Sequence, residues 1–195
     1  MVVCSTGEGW ATLARRLLAA AGFALLLAGV SRAEALQSWI LVDTQAHSLS
    51  VWEHGRLVEK FDHIAIGRKG ASELKYSGDK KTPVGRYRVT RITRSKRFHL
   101  YIGLDYPNLD DARRARDAGI LGEQAFEDIR RAIAASKVPP QDTALGGHIG
   151  IHGIGRGDPQ IHELFDWTNG CIALTNEEIE RLARRVRVGT LVVIR

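Results

Sequence analysis

Apolar and polar residues alternate along much of the chain before residue 105, and this pattern restricts the fold more than any other feature of the sequence. Between Ser38 and Ile66 the apolar positions alternate around a polar turn at Glu53–Arg56. A period of two residues is typical of strands with one buried face, so this segment predicts a β-hairpin. The same alternation over Gly85–Arg94 and His99–Leu104 predicts two further strands.

The middle of the chain changes to a helical pattern. Residues 110–118 and 123–135 are rich in Ala and Arg, and the second segment places its large apolar residues at helical spacing. Pro139 and Pro140 end the second predicted helix. Residues 67–83 are rich in Gly, Lys, Ser and Asp, which predicts a loop before the strands resume.

The last third of the chain mixes both patterns. Residues 145–153 predict a buried strand that enters a loop. A helix is predicted to begin at Thr175 or Asn176, either of which can cap it, and residues 191–194 predict a closing strand. The fold class predicted from these elements is α+β and β-rich, in one domain over about residues 36–195.

A basic and then apolar segment at the N-terminus has the organisation of a secretory signal peptide. Arg15 and Arg16 precede an apolar run over Leu17–Val30, and small residues follow at positions 31–35. We therefore predict that residues 1–33 are a signal peptide and that the protein is exported to the periplasm or cell envelope. An uncleaved membrane anchor and a buried core helix are the alternatives.

The predicted export affects how the two cysteines are interpreted. Cys4 lies in the predicted signal peptide, so the mature chain would keep Cys171 alone. Cysteines in an oxidising compartment are usually paired. An unpaired Cys171 is therefore an unmatched structural residue, a partner in an intermolecular disulfide, or a reactive thiol.

The charge of the chain is moderately basic. The formal net charge is +6, and loss of residues 1–33, with three arginines and one glutamate, leaves about +4. No stripe of Lys and Arg interleaved with aromatic residues accompanies this charge, so we expect no nucleic-acid partner. The positive surplus fits either attraction to an anionic wall polymer or a solvated basic surface.

The residues with the clearest chemistry lie between positions 148 and 176. A cysteine nucleophile reacts as its thiolate, and a nearby imidazole can take up the thiol proton. Cys171 and His152 are the candidates for these two roles. Gly170 precedes the cysteine, and a glycine there allows a sharp turn that points backbone N–H groups at a developing oxyanion.

The same stretch has an alternative interpretation as a metal site. His148, His152, His162 and Cys171 could be zinc ligands, and two histidines two residues apart on a strand point to the same face. Their spacing matches no zinc motif. We therefore expect neither a metal nor an organic cofactor.

Two segments resemble signatures of the L,D-transpeptidase catalytic domain family, which has the YkuD-type fold. The family pattern is a His, about fifteen residues, then Ser or Thr, a variable residue, Gly and Cys. His152, Thr168, Gly170 and Cys171 occupy these positions. The segment Gly78–Tyr87 resembles the family motif Gly-Asp-x-x-Thr-Pro-x-Gly-x-Tyr/Phe. The resemblance covers nearly all of the mature chain and implies a mixed β-sheet or sandwich with a helical insert.

The resemblance implies a peptidoglycan L,D-transpeptidase that works through a thioester. Cys171 would attack the carbonyl of the diamino acid at the third position of a stem peptide, D-Ala would leave, and an amine would accept the acyl group. His152 would act as base, oriented by the backbone carbonyl of Gly153. The N–H groups of Gly170 and Cys171 would form the oxyanion hole, and Thr168 would support their loop.

Further residues are expected on the substrate side. Thr168, Asn169, His148 and Arg86 are the predicted substrate-binding residues, with Arg86 meeting a stem-peptide carboxylate; a solvated strand face is the alternative for Arg86. The helical insert, residues 110–136, would form a lid over the cleft.

The sequence departs from the commonest family pattern at two positions. Ala173 stands where many members have Arg two residues after the cysteine, and Asn169 stands where many have His. The segments Asp166–Asn176 and Tyr106–Asn108 instead resemble a subgroup that includes amidases releasing wall-attached lipoprotein.

The sequence therefore supports three candidate functions. The first is transpeptidation of peptidoglycan stem peptides. The second is hydrolysis on the same scaffold, which would release wall-attached lipoprotein or a terminal residue. The third is a non-catalytic peptidoglycan-binding module. Retention of both Cys171 and His152 favours an enzyme, because a degenerate site would be expected to lose one of them.

Overall fold

The computed structural model describes Met1 and residues 38–195. Apart from Met1, the predicted signal peptide lies outside the described residues. The strands are β1 (Trp39–Asp43), β2 (Ser48–Glu53), β3 (Arg56–Asp62), β4 (Ala71–Ser72), β5 (Thr82–Pro83), β6 (Gly85–Ser95), β7 (His99–Leu104), β8 (Gly150–Gly153), β9 (Ile172–Leu174) and β10 (Leu191–Ile194). The helices are α1 (Leu109–Asp117), α2 (Glu123–Ala134), α3 (Pro159–Leu164) and α4 (Asn176–Ala183).

Eight of these strands form one mixed sheet in the order β3-β2-β1-β10-β6-β7-β8-β9. The pairs β1–β10 and β8–β9 are parallel, and the other neighbours are antiparallel. The β2–β3 hairpin turns at His54 and Gly55, inside the predicted turn. A mixed sheet with a few helices confirms the predicted β-rich α+β fold class.

Backbone that follows β3 joins the two ends of the sheet. Ala65 and Ala173 exchange two N–H···O bonds of 3.1 and 2.7 Å. The Thr168 N–H donates to the Ile66 carbonyl at 3.1 Å, and the Arg68 N–H donates to the Thr168 carbonyl at 3.0 Å. The sheet therefore closes on itself beside the segment that carries the predicted nucleophile.

The strands alternate because each buries one face in an apolar core. Ile40 and Val42 on β1 and Tyr87 and Val89 on β6 are buried, and the residues between them are more exposed. Helix α4 packs on β7 and β8. Burial of an apolar side chain contributes about 1.5–3 kcal/mol, so this packing stabilises the strand that carries His152.

The helix ends follow from local capping. Thr175 caps α4 through its side chain and forms a capping box with Glu178, as the sequence predicts. Helix α3 was not predicted, although Asp158 caps it and Pro159 occupies its first turn. An Asp followed by Pro is a recognised helix start, so this signal was present in the sequence.

The predicted strand over residues 145–153 is shorter in the structure. Residues 145–149 form a turn and irregular backbone, and β8 begins at Gly150. Leu145 and Ile149 are buried in the core without belonging to a strand. A short apolar run indicates burial, but it does not fix the backbone conformation.

Within residues 38–195, no helix has both the length and the apolar character needed to cross a bilayer.

Packing in the sheet gives a prediction for stability. Ile102 lies on β7 with no exposed surface, so Ile102→Ala should lower the free energy of unfolding by about 2–5 kcal/mol. Leu57→Ala is the matched control: Leu57 is 49% exposed, and its loss should change the free energy by no more than about 0.5 kcal/mol. Denaturant unfolding followed by circular dichroism measures both, and equal effects would contradict the packing described.

Candidate active site

A cleft of about 560 Å³ opens where β8 and β9 run side by side. We call it the active cleft. Parallel pairing places His152 opposite Ala173, so Cys171, just before β9, lies near the start of β8. The cleft is lined by several arginines and by Phe98, Tyr101, His148, His152, Trp167 and Cys171. The structure therefore brings the two principal predicted residues together.

His152 has a defined orientation at the base of the active cleft. Its Nδ1 lies 2.9 Å from the carbonyl oxygen of Gly153, the carbonyl that the sequence analysis assigned to it. A carbonyl can only accept, so Nδ1 carries the proton of the neutral ring and Nε2 has a free lone pair. This tautomer is the one that can take up a proton from a thiol.

The loop after His152 is fixed by Asn176 at the start of α4. The Asn176 Oδ1 accepts from the Gly155 N–H at 2.9 Å, and its Nδ2 donates to the Gly155 carbonyl at 2.8 Å. These two bonds restrain the backbone that presents the Gly153 carbonyl. Asn176 is a positioning residue that the sequence analysis did not single out.

Aromatic side chains surround the His152 ring. Phe98 stacks on it with ring centroids 4.1 Å apart, and Trp167 meets it edge to face at 5.8 Å. His152 is only 2% exposed. Burial lowers the pKa of His152 to about 4, outweighing its hydrogen bond with Gly153, and the nearby Arg97 charge lowers the pKa further. At neutral pH the ring is therefore neutral.

Cys171 is partly exposed, and it lines the active cleft. The thiol Sγ donates to the carbonyl of His148 at 3.4 Å. Burial raises the pKa of the Cys171 thiol to about 11, while a hydrogen bond from the Gly150 backbone and the charge of Lys75 lower it. The resting pair is thus a neutral thiol beside a neutral imidazole.

Gly150 is a second positioning residue that the sequence analysis missed. A Cβ at this position would lie 2.5 Å from the Ile102 carbonyl oxygen and 2.6 Å from the Tyr101 ring. A residue with a side chain would force β7 and β8 apart. Gly150 therefore allows β8 to pair closely with β7 beside the active cleft.

Thr168 organises the short loop before the nucleophile. Its Oγ1 donates to the Cys171 carbonyl at 2.6 Å and accepts from the Gly170 N–H at 3.0 Å. This arrangement fits the predicted loop-supporting role of Thr168. It also revises the predicted oxyanion hole, because the Gly170 N–H is already bonded within the loop and is not free to face a substrate.

The predicted substrate-side residues separate into two groups. Asn169 and His148 line the active cleft, and Asn169 Oδ1 accepts from Arg68 Nη2 at 2.7 Å. Arg86 does not reach this cleft. It borders a separate cavity of about 790 Å³ between the helical insert and β6, so the structure does not bring Arg86 together with the other predicted substrate-side residues.

The helical insert is also placed differently from the prediction. Asn108 caps α1, and Asp111 on that helix accepts a hydrogen bond from the Tyr87 hydroxyl at 3.0 Å. No residue of 110–136 borders the active cleft within the described chain. The predicted lid over the cleft is therefore wrong: the insert is fastened to β6 beside the separate cavity.

The arrangement of the histidines argues against the zinc interpretation. His162 contacts Trp167 and borders a different cavity, near His47 and His63. Among the residues that the structure describes, no group of three or more His, Cys, Asp or Glu side chains could hold a metal ion.

Comparison with known families identifies the class of protein. A family model described as the L,D-transpeptidase catalytic domain, YkuD, matches residues 37–194. The chain therefore belongs to the L,D-transpeptidase catalytic domain family, which confirms the resemblance noted in the sequence. A search of curated proteins found no match.

Solved structures share the fold. The helical cell shape determining protein Pgp2 from Campylobacter jejuni is 24% identical, with a TM-score of 0.55 over 81% of this chain and 47% of that chain. Bd1075 from Bdellovibrio bacteriovorus is 23% identical, with a TM-score of 0.54 over 83% of this chain and 49% of that chain. This chain thus spans about half the length of each. Identities this low establish the fold alone.

The buried imidazole predicts how stability depends on pH. Because the pKa of folded His152 is about 4 against an ordinary 6.5, the unfolded chain binds a proton between these values that the folded chain does not. Acidification from pH 6.5 to 4 should therefore lower the free energy of unfolding, by about 3 kcal/mol from this group.

The test compares denaturant unfolding of wild type and His152→Gln across that pH range. The variant should lose less stability on acidification than wild type does. His54→Asn, at an exposed position with positive φ, is the control and should keep the wild-type slope. Equal slopes for wild type and His152→Gln would contradict the assigned burial.

Proposed function

We propose that this protein is a cysteine-dependent peptidoglycan L,D-transpeptidase that acts on stem peptides in the cell envelope. The observation that carries the proposal is the Cys171–His152 pair, with Nδ1 of His152 bonded to the Gly153 carbonyl at the base of a cationic cleft. Membership of the family supports peptidoglycan as the substrate. Residues 1–33, read as a signal peptide, would deliver the enzyme to that polymer.

The proposed acylation step transfers one proton and exchanges one bond. His152 Nε2 takes the proton of the Cys171 thiol as the sulfur attacks the carbonyl carbon of the third residue of the stem peptide. The C–N bond to D-Ala then breaks, His152 returns the proton to the departing amine, and a thioester remains. An acceptor amine attacks the thioester, and its proton passes through His152 to the released thiol.

The neutral resting pair fits a general-base mechanism. Burial holds the pKa of the thiol near 11 and that of the imidazole near 4, so the thiolate–imidazolium pair is not formed in advance. The proton therefore moves as the sulfur attacks. The Cys171 N–H is the remaining candidate donor to the oxyanion, because the Gly170 N–H is bonded to Thr168.

Arginines around the cleft support an anionic acyl donor. Arg91 lies over the Tyr101 ring at 5.2 Å and Arg97 over the Phe98 ring at 4.9 Å. Within residues 38–195, neither guanidinium group forms an ion pair with an acidic side chain. Arg68 contributes a third guanidinium. Guanidinium groups bind carboxylates through two parallel hydrogen bonds, and a stem peptide ending in D-Ala carries a carboxylate beside the bond to be broken.

The residues that line the active cleft also support hydrolysis as a second candidate function. Within the described chain, no Asp or Glu lines the active cleft. A cationic amine acceptor would therefore approach several positive charges without a carboxylate to attract it, whereas water meets no such repulsion. Hydrolysis would release D-Ala from a stem peptide, or lipoprotein from the wall.

Loss of the nucleophile is the first test of the proposal. The full chain and its Cys171→Ala variant would be incubated with tetrapeptide muropeptides and with lipoprotein-linked sacculi, and products would be identified by mass spectrometry. We expect turnover to disappear in Cys171→Ala and to fall by several orders of magnitude in His152→Ala, because the thiol then lacks a base.

The products separate the candidate functions. Crosslinked or D-amino-acid-exchanged products that require Cys171 support transpeptidation, and release of D-Ala or lipoprotein with water as acceptor supports hydrolysis. Wild-type turnover in Cys171→Ala would refute the nucleophile assignment. Binding to sacculi without any product would favour the wall-binding module.

The cationic cleft gives a separate kinetic prediction. Arg91→Gln or Arg97→Gln should raise KM for tetrapeptide muropeptides by about tenfold, since a hydrogen bond to a charged group contributes about 1.5–3 kcal/mol. Arg86→Gln removes the same charge beside the separate cavity and should leave KM unchanged. Equal effects at the three positions would mean that overall charge, not the cleft, attracts the substrate.

A further inference from the structure

A buried ion pair lies behind the nucleophile, outside the active cleft. Lys75 Nζ and Asp79 Oδ1 are 3.0 Å apart, and their side chains are only 5% and 1% exposed. Neither residue lines the cleft. Removing a Lys and an Asp from water is unfavourable, so a pair this deeply buried needs compensating contacts.

Both carboxylate oxygens of Asp79 accept hydrogen bonds from residues of its own loop. Its Oδ2 accepts from the Tyr76 N–H at 3.0 Å, and its Oδ1 accepts from the Lys81 N–H at 3.0 Å as well as from Lys75 Nζ. The bond to Lys81 holds the backbone in place just before Thr82. Asp79 thus connects the ammonium group of Lys75 to the backbone at Lys81.

That backbone packs directly against the residue before the nucleophile. A Cβ on Gly170 would lie 2.5 Å from the Lys81 carbonyl oxygen and 3.2 Å from Lys75 Cε. Gly170 has a φ of +129°, which residues with a side chain rarely adopt. The Gly170–Cys171 peptide therefore rests on a surface built by Lys81 and Lys75, with no space for a side chain between them.

Lys75 is positively charged, whereas the other groups that face the Cys171 sulfur are neutral. These are His152 on β8, Tyr101 on β7 and the backbone of His148 and Gly150. At neutral pH the two titratable side chains among them are uncharged, because burial lowers the pKa of His152 and raises that of Tyr101. The guanidinium groups of Arg68 and Arg91 lie on the open side of the cleft, over Asn169 and the Tyr101 ring.

We propose that the Lys75–Asp79 ion pair positions the nucleophile, and that the ammonium group of Lys75 supplies the positive charge that favours the Cys171 thiolate. Lys75 is a positioning residue in this role, since it acts through the Gly170–Cys171 loop and not on substrate. The charge of Lys75 lowers the pKa of the Cys171 thiol, against the larger opposing effect of burial. The inference rests on Cys171 being the nucleophile of the proposed function.

The alkylation rate of Cys171 tests this role without any peptidoglycan substrate. The full chain is treated with iodoacetamide at several pH values near 8, and modification of the peptide that contains Cys171 is followed by mass spectrometry. Only the thiolate reacts, so the rate at a pH below the thiol pKa reports the thiolate fraction. A failure here is distinguishable from a failure of the proposed function, which product analysis measures independently.

The two members of the ion pair should have opposite effects. Lys75→Met removes the positive charge and should slow alkylation by about tenfold, equivalent to one pKa unit. Asp79→Asn removes the negative charge and should accelerate it. Lys81→Met is the matched control: it removes a charge from the same loop while keeping the backbone contact with Gly170, and it should leave the rate near that of wild type.

The direction of these changes decides between an electrostatic and a purely structural role. If the role were purely structural, Lys75→Met and Asp79→Asn would change the alkylation rate of Cys171 in the same direction, because either substitution disrupts the loop. Such a result, or unchanged rates in both, would overturn the proposal, as would an equal loss in Lys81→Met. Thermal unfolding identifies any variant that does not fold. Lys75→Arg then serves as the second variant and should alkylate within about threefold of wild type, since it keeps the charge.

Discussion

Closure of the sheet by backbone hydrogen bonds determines where the candidate active site lies. Ala65 pairs with Ala173, and Arg68 pairs with Thr168, so the segment before β9 is held from the side opposite to β8. Cys171 lies between these two pairings. Main-chain groups make these bonds, and the Thr168 hydroxyl and the absence of a side chain at Gly170 shape the loop between them.

One departure from the common family pattern lies at this closure. Ala173 has no exposed surface, and Ala65 opposite it is only 1% exposed, so a larger side chain at position 173 would have to displace its neighbours. The positive charge of the cleft comes from other elements: Arg68 after β3, Arg91 and Arg94 on β6, and Arg97 in the β6–β7 turn. These guanidinium groups share the cleft with Cys171.

Much of the fold follows from periodicity, and the limits of periodicity explain the errors. Alternation identified β6 and β7, because each strand has one face in the core. Alternation does not reveal which cavity a strand residue borders: Arg86 borders the cavity beside the insert and Arg91 the active cleft, although both belong to β6. A register shift between Val89 and Arg91 also interrupts the alternation. The placement of the helical insert has the same cause: its attachment through Tyr87 and Asp111 is a contact between residues 24 positions apart.

The motif itself predicted the pairing of Cys171 with His152, but not the balance of charges around them. Burial favours the neutral thiol and the neutral imidazole, while the Gly150 N–H and Lys75 favour the thiolate. Since oxidants and alkylating agents attack the thiolate, a predominantly neutral thiol reacts slowly with them. In the proposed role, the charge of Lys75 behind the loop would raise the thiolate fraction, and this would favour attack on a bound acyl donor and reaction with alkylating agents alike.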